Sequence, residues 1–351
     1  MKESITYLRM KRQNLIDGEH WGDYEQLFRL MSPVPTLFWT TPGEPPIIQY
    51  RTDRDDRTEN NNLRSDRTII KGRFRGGSIG YIFADELPLF MAAYKKDISV
   101  YSDIDMTVLK ILRSEGPMNI DMIKEITGLL SKHISASLQK LQKAFIVFED
   151  QVDGEWDRSW YILEDEFSHL DLNAYTKEQA VEEILRRFAF LNVFADESMI
   201  KSFTRFSNRD IKRAISSLEE KGIFKGKVVS GVKGFILSGD EDEIATCAGT
   251  VPDKTFVLDL NDYLVRSNEA ALKNRFNPEP FKILHYIMKR GEFIGIVAGR
   301  FSFGPNELEN VILDVSDFDK NEFRNEIEKA IGKVYPTYDT QLKRYCSQHR
   351  F

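Results

Sequence analysis

Cysteine is nearly absent: the 351 residues contain only Cys247 and Cys346. Two thiols so far apart exclude a disulfide-rich scaffold and a cysteine-based zinc finger. The five histidines stand singly, so no metal-ligand cluster is visible, and neither a metal nor a cofactor is expected. No stretch approaches the roughly 20 apolar residues of a membrane helix. The opening, Met1-Lys2-Glu3-Ser4-Ile5, lacks the charged-then-apolar pattern of a signal peptide. A cytoplasmic location away from membranes is therefore expected. Gly-x-Ser-x-Gly, a P-loop and a paired Cys and His are all missing, which removes the common nucleophile and phosphate-cradle signatures. No heptad repeat is present to drive a dimer, and the chain is long enough to act as a monomer.

What is present is ordinary for a globular protein. At 41% hydrophobic residues, with 24 Phe and 13 Tyr, the chain can fill several small cores. A prior of one domain per roughly 150 residues gives two or three domains. The formal charge of −6 counts against a protein that coats DNA nonspecifically. The charges are segregated, however. Arg64, Arg67, Lys71, Arg73 and Arg75 face a single acid, Asp66, and Lys201, Arg205, Arg209, Lys212 and Arg213 face only Asp210. Acid collects in 149–171 and in Asp240-Glu241-Asp242-Glu243. This pattern fits one basic face on an acidic body, where the local field governs phosphate contact. It also fits charges that simply solvate helix surfaces.

A supersecondary unit occurs twice. After Asp105, the residues Val108, Leu109, Ile111 and Leu112 have helical spacing, and Gly116-Pro117 ends the run. Asn119 caps a second short helix, which Gly128 terminates. Ser131 is placed at the cap of a third helix with Ile134, Leu138, Leu141 and Phe145 on one face. Residues 146–148 and 160–163 then form a β-hairpin across Asp153-Gly154. Three helices and a hairpin make the winged form of the helix-turn-helix, whose third helix enters the major groove. That helix would present Lys132, His133, Ser135, Ser137, Gln139 and Lys140. The second copy has a helix over 177–190, a helix capped by Asp196 and a third capped by Ser207, with Gly222 just past its end. Its hairpin spans 223–229 and 234–237. Ser137-Leu138-Gln139-Lys140-Leu141 matches Ser217-Leu218-Glu219-Glu220-Lys221 in position.

The flanks are less regular. Helices are expected around Ile5, Leu8 and Leu15 and near residues 24–31. The polar run from Arg51 to Asn62 reads as a mobile loop, and 68–75 with 78–83 as a basic hairpin, the wing of a third, degenerate unit. Towards the C-terminus, 256–258, 284–288, 293–297 and 311–315 read as strands, Arg290-Gly291 as a turn, and 321–332 as an amphipathic helix. The fold class is therefore mixed α/β (α+β), with tandem winged helices before a small α+β domain. The expected divisions are 1–100, 101–172, 173–248 and 249–351.

In this order the segments resemble the winged-helix DNA glycosylases of the AlkZ and YcaQ type. Arg75-Gly76-Gly77-Ser78-Ile79-Gly80-Tyr81-Ile82 resembles the family's Arg-Gly-Thr-Leu-His-Leu-Val hairpin. Residues 137–163 and 183–237 resemble its two winged helices. Leu258-Asp259-Leu260-Asn261-Asp262-Tyr263-Leu264-Val265-Arg266, Arg275-Phe276 and Gly291-Glu292-Phe293-Ile294-Gly295 resemble features of its C-terminal part. The likeness spans roughly 65–315. It implies a DNA partner and, in the family, a Gln-x-Gln or Gln-x-Asp motif that positions the attacking water. The comparable stretch here is Leu30-Met31-Ser32-Pro33-Val34-Pro35-Thr36, with no carboxylate and no amide, and Gly80 stands nearest the family's hairpin His. The literal Gln151-Val152-Asp153 falls in a wing loop, where Asp and Gly are turn residues.

Glycosidic cleavage through an oxocarbenium-like state needs a carboxylate or an oriented water near the sugar. Glu44, Asp53, Asp55 and Asp56 are the acids near the N-terminal part, and all read as solvated loop residues. His133 reads as an exposed helix residue, and Trp39, Phe301 and Phe303 as core rather than stacking platforms. The catalytic residues are left unknown. Three functions follow. The first is a noncatalytic protein that binds duplex, bent or damaged DNA through Lys71, Arg73, Arg75, Lys132, Lys140, Arg209, Lys212, Arg213, Lys225 and Lys227. The second is a divergent monofunctional glycosylase that excises alkylated bases or crosslinks. The third is a winged-helix protein-interaction module.

Overall fold

The computed structural model describes residues 1–36, 45–151, 158–300, 307–315, 317–335 and 344–347. It opens with α1 (Lys2–Arg12) and α2 (Tyr24–Met31). Asp23 and Gln26 form a reciprocal capping box at the start of α2. Leu15 lies beyond the end of α1 but is still buried. The polar run expected to be a loop contains α3 (Asp56–Ser65), capped by Asp55. Its apolar content gave no periodic signal. Tertiary contacts hold it instead: the buried Asn60 amide donates to Tyr24 Oη at 2.5 Å and to the Pro46 carbonyl at 2.6 Å. The antiparallel hairpin β1 (Ile69–Phe74) and β2 (Ser78–Phe83) follows, then α4 (Leu87–Tyr94). Its turn uses Gly76 and Gly77 at φ of 78° and 101°, which a side chain would oppose.

The first helix–hairpin unit comprises α5 (Asp103–Glu115), α6 (Ile120–Thr127), α7 (Ser131–Lys143), β3 (Val147–Gln151) and β4 (Arg158–Ile162). Asn119 caps α6 through the Met122 amide, and Gly128 ends it in the left-handed region. Ser131 proves to be the first helical residue of α7. The cap position is Leu130, whose side chain offers no acceptor. A single turn, α8 (Leu163–Glu166), follows.

The second unit repeats the order with α9 (Lys177–Asn192), α10 (Glu197–Thr204), α11 (Asn208–Glu220), β5 (Phe224–Val229) and β6 (Val232–Leu237). Asp196 and Ser207 cap α10 and α11 as the sequence predicts. The two third helices each have 13 residues. A short α12 (Glu241–Thr246) closes the unit.

The remainder is a five-stranded sheet in the order β11-β10-β9-β8-β7, from β7 (Thr255–Asp259), β8 (Lys282–Lys289), β9 (Glu292–Arg300), β10 (Glu307–Leu313) and β11 (Arg344–Ser347). Helices α13 (Tyr263–Ser267) and α14 (Glu269–Arg275) separate β7 from β8, and α15 (Asp317–Val334) separates β10 from β11. β11 pairs parallel to β10, a strand the sequence did not announce. Arg290 and Gly291 form the β8–β9 turn at positive φ, as expected. The architecture is α+β.

Among the described residues, four apolar cores hold these pieces. One merges α2, the β1–β2 hairpin and α4 with α9, α10 and α11. The first helix–hairpin unit has its own, around Val108, Ile134, Leu138 and Trp160. A third lies between α1 and one face of the sheet, and α15 covers the other face with Ile327 and Ile331. The N-terminal helix is thus tied to the C-terminal sheet, not to the hairpin it precedes. A buried bidentate pair from Arg12 to Asp240, at 2.7 and 2.8 Å, fixes it to the second unit as well. No helix among the described residues is long and apolar enough to cross a membrane.

Candidate nucleic-acid interface

The ten cations singled out from the sequence divide into three groups. Lys71 and Arg75 belong to the interior, which corrects their placement on a phosphate-facing surface. Lys71 lies 3.4 Å from Glu149, and neither side chain reaches solvent appreciably. Burial holds the Lys71 ammonium below its usual range. Burial likewise raises the Glu149 carboxyl, but Lys71 and Arg158 overcome that and keep it ionised. Arg75, at the hairpin tip, donates to the Phe203 carbonyl and lies over the Phe203 ring at 5.4 Å. Burial pushes it down to about 10. A basic run in a hairpin looks like a wing, yet both faces of this hairpin are covered.

A second group is partly or fully exposed but engaged. Arg73 donates to Gln142 at 2.7 Å and to the Gly77 carbonyl at 3.2 Å, joining the hairpin to α7. Lys140 is drawn to Asp105 at 2.6 Å. Arg213 pairs with Glu178 at 2.9 Å, and both Lys225 and Lys227 pair with Glu241. Exposed pairs of this kind are worth about 0–1 kcal/mol, so an incoming phosphate can compete for them. The Lys140 pair differs because Asp105 is buried: the acid also accepts from Ser137 Oγ at 2.7 Å. Ser137 is consequently internal, not on the exposed face expected of it. The second unit repeats the device, with Ser217 and Lys221 both on Glu182 of α9. The repeat seen in sequence is therefore a repeat of polar contacts between first and third helices.

The third group comprises Lys132 on α7 with Arg209 and Lys212 on α11. All three are exposed and hold no ion pair among the described residues. Lys233 on β6 shares these properties, although no basic run in the sequence marks it. His133 is exposed on α7.

The acids offered for catalysis do not assemble. Asp53 is exposed, and Asp55 is spent as the cap of α3. Asp56 accepts the Ile48 amide at 2.9 Å. Glu44, Trp39, Val152, Asp153, Phe301 and Phe303 lie outside the described residues. Around Leu30–Thr36 the backbone is held tightly. Val34 exchanges hydrogen bonds with Tyr81 at 2.8 and 2.9 Å, adding an extended residue to the hairpin edge. Pro33 then presses on Gly80, where a Cβ would lie 2.9 Å from Pro33 Cβ. A side chain at that position would have to displace Pro33.

Beside this stretch is a cavity of about 20 Å³, lined by Val34, Pro35, Gln49, Arg51, Asp262 and Arg266 among others. That is room for one water. Arg51 and Asp262 form a fully buried pair, at 2.6 and 3.2 Å. Asp262 Oδ1 also accepts the Leu264 amide at 2.8 Å. Arg266 lies over Phe203 at 5.0 Å and donates to the Pro33 carbonyl at 3.2 Å. Burial, with Arg75 close by, holds Arg266 well below the usual arginine range.

No family model and no curated protein sequence matches the chain. Among solved structures it is similar to the Streptomyces sahachiroi DNA glycosylase AlkZ, with a TM-score of 0.68. The superposition covers 99% of this chain and 98% of that one, at 13% identity. The fold is therefore AlkZ-like from end to end. At such identity the likeness defines architecture and leaves the chemistry to the site.

Proposed function

We propose that the chain binds duplex DNA on a glycosylase-like scaffold without cleaving it. Two winged-helix units would lay α7 and α11 towards the duplex, with Lys132, Arg209 and Lys212 as the first phosphate contacts. Arg213, Lys225 and Lys227 would exchange their acids for phosphates at the periphery, with Arg73 and Lys140 beside them. The observation that carries the noncatalytic part is the charge of the cavity beside Leu30–Thr36. It is walled by Arg51 and Arg266, with Asp262 neutralised by Arg51. A sugar cleaving beside it would become oxocarbenium-like, hence positive. Of the two, only Arg266 lacks an acid partner among the described residues; left unneutralised within ~10 Å, it would oppose that state by about 1–2 kcal/mol at an effective dielectric near 20. The proline and valine of the stretch orient no water.

The test is fluorescence anisotropy of a labelled duplex, plain and carrying an abasic-site analogue, at several salt concentrations, with a base-release assay on alkylated DNA alongside. Salt-sensitive binding without base release is the expected result. Release of free base in proportion to protein would establish a divergent glycosylase instead. Absence of binding at low salt would turn the two units into protein-interaction modules.

A further inference from the structure

The guanidiniums of Arg51, Arg75 and Arg266 are buried; Asp262 lines the cavity beside Arg51 and Arg266, and Glu269 acts on Arg75. The Asp262 carboxylate is consumed by Arg51. Arg266 is 4% exposed and, among the described residues, its side chain has a single hydrogen bond, from Nη1 to the Pro33 carbonyl. Its Nε and Nη2 are buried without a partner there, and so is Arg51 Nε. Nε and Nη2 are the two donors along one edge of the planar guanidinium, the fork with which arginine grips an anion from the side. Buried charges are as a rule paired, because a charge left uncompensated away from water is strongly unfavourable.

We propose that the cavity between Arg51 and Arg266 is a binding site for one small inorganic anion of chloride size. A volume of about 20 Å³ is enough for one small ion. The Arg266 fork supplies two donors and Arg51 Nε a third. Gln49 lines the same cavity with its Oε1 unpartnered, and a half-turn of that amide presents NH2 as a fourth. Met31, Val34, Pro35 and Ile48 supply apolar parts of the wall. A water molecule fills the same volume and satisfies some donors, but it leaves the charge uncompensated. The anion pins Arg266, and through it the Pro33 backbone and the ring of Phe203. It thereby joins the hairpin edge, α10 and α13 at one point.

The experiment is diffraction from crystals of the full chain grown or soaked in sodium bromide, read as anomalous difference density. A peak within about 3.5 Å of Arg266 Nε is expected. No peak in the cavity overturns the proposal and leaves water there. In parallel, the melting temperature is measured in sodium chloride and in sodium gluconate at equal ionic strength, gluconate being too large to enter. The wild-type protein should melt about 2–4 °C higher in saturating chloride. Arg266→Met, which removes the uncompensated charge, should lose that difference and be at least as stable as wild type in gluconate. A chloride effect of equal size in Arg266→Met would also overturn the proposal. If that variant does not fold, the bromide peak and the wild-type melting curves still decide. None of these readouts depends on DNA binding.

Discussion

Lys71 and Glu149 form an ion pair, 3.4 Å apart, that joins the N-terminal hairpin to the first helix–hairpin unit where water does not reach. Arg158 reaches the same carboxylate at 2.6 Å, and Arg73 stands close enough to act on it electrostatically. Breaking such a pair leaves a buried charge alone. Glu149→Ala is expected to cost about 3–5 kcal/mol, and Lys71→Met combined with Glu149→Leu much less. Urea unfolding of the two variants tests this. Equal losses would mean that the pair is not the joint.

Gly80 faces Pro33 across a gap that a methyl group fills completely. Gly80→Ala should lower stability by about 1–3 kcal/mol through overpacking, and Gly80→His by more. Thermal melts of both variants, with a circular dichroism spectrum at about 20 °C to confirm folding, are sufficient. A neutral Gly80→Ala would show that the 30–36 segment yields easily.

The exposed cations should separate from the buried ones in a DNA-binding assay. Lys132→Gln, Arg209→Gln and Lys212→Gln together should weaken duplex binding at least tenfold near 0.1 M salt. They should also flatten the slope of log affinity against log salt, by about 0.9 for each phosphate that is no longer neutralised. The melting temperature should stay unchanged, because these side chains stand in solvent. Arg75→Gln should do the reverse, lowering the melting temperature through loss of its buried bond to Phe203. An unchanged affinity in the triple variant would remove α7 and α11 from the interface.

His285 gives the C-terminal sheet an acid sensitivity. Its Nδ1 meets Tyr335 Oη at 2.6 Å, and burial pushes it down to about 4 despite the Asp259 carboxylate 3.9 Å from Nε2. The unfolded chain takes up a proton on this ring near pH 6.5, and the folded chain refuses it until about pH 4. Stability is therefore complete above pH 6.5 and falls on acidification through that window, by at most about 3 kcal/mol. Unfolding free energies measured at intervals between neutral pH and about pH 4.5 should show this slope in the wild type and a shallower one in His285→Gln. Parallel curves would relieve His285 of the role.

Where the chain relies on local chemistry, the sequence was legible. The capping residues Asn119, Asp196 and Ser207, the terminating Gly128 and Gly222, and the Arg290-Gly291 turn each act within a few residues of where they stand. Helical periodicity did the same for α5, α7, α9 and α11. Failures came where a partner distant in sequence supplies the stabilisation. The polar α3 exists because Tyr24 and the Pro46 carbonyl receive Asn60, and β11 because β10 offers it a free edge.

By itself, then, the sequence determined the element order within the two helix–hairpin units, the repetition of that unit and the lack of a carboxylate or amide between residues 30 and 36. Periodicity, caps and side-chain chemistry are local properties, and composition carries them. Only the tertiary structure decided which basic residues face solvent. Lys71 and Arg75 sit in the same basic run as Arg67 and Arg73, and nothing in their spacing marks them as interior. Burial depends on what packs above a strand, here α10 and β3, and those come from other parts of the chain. The meeting of Arg51, Asp262 and Arg266 around one small cavity has the same cause: long-range packing brings together charges that the sequence keeps far apart.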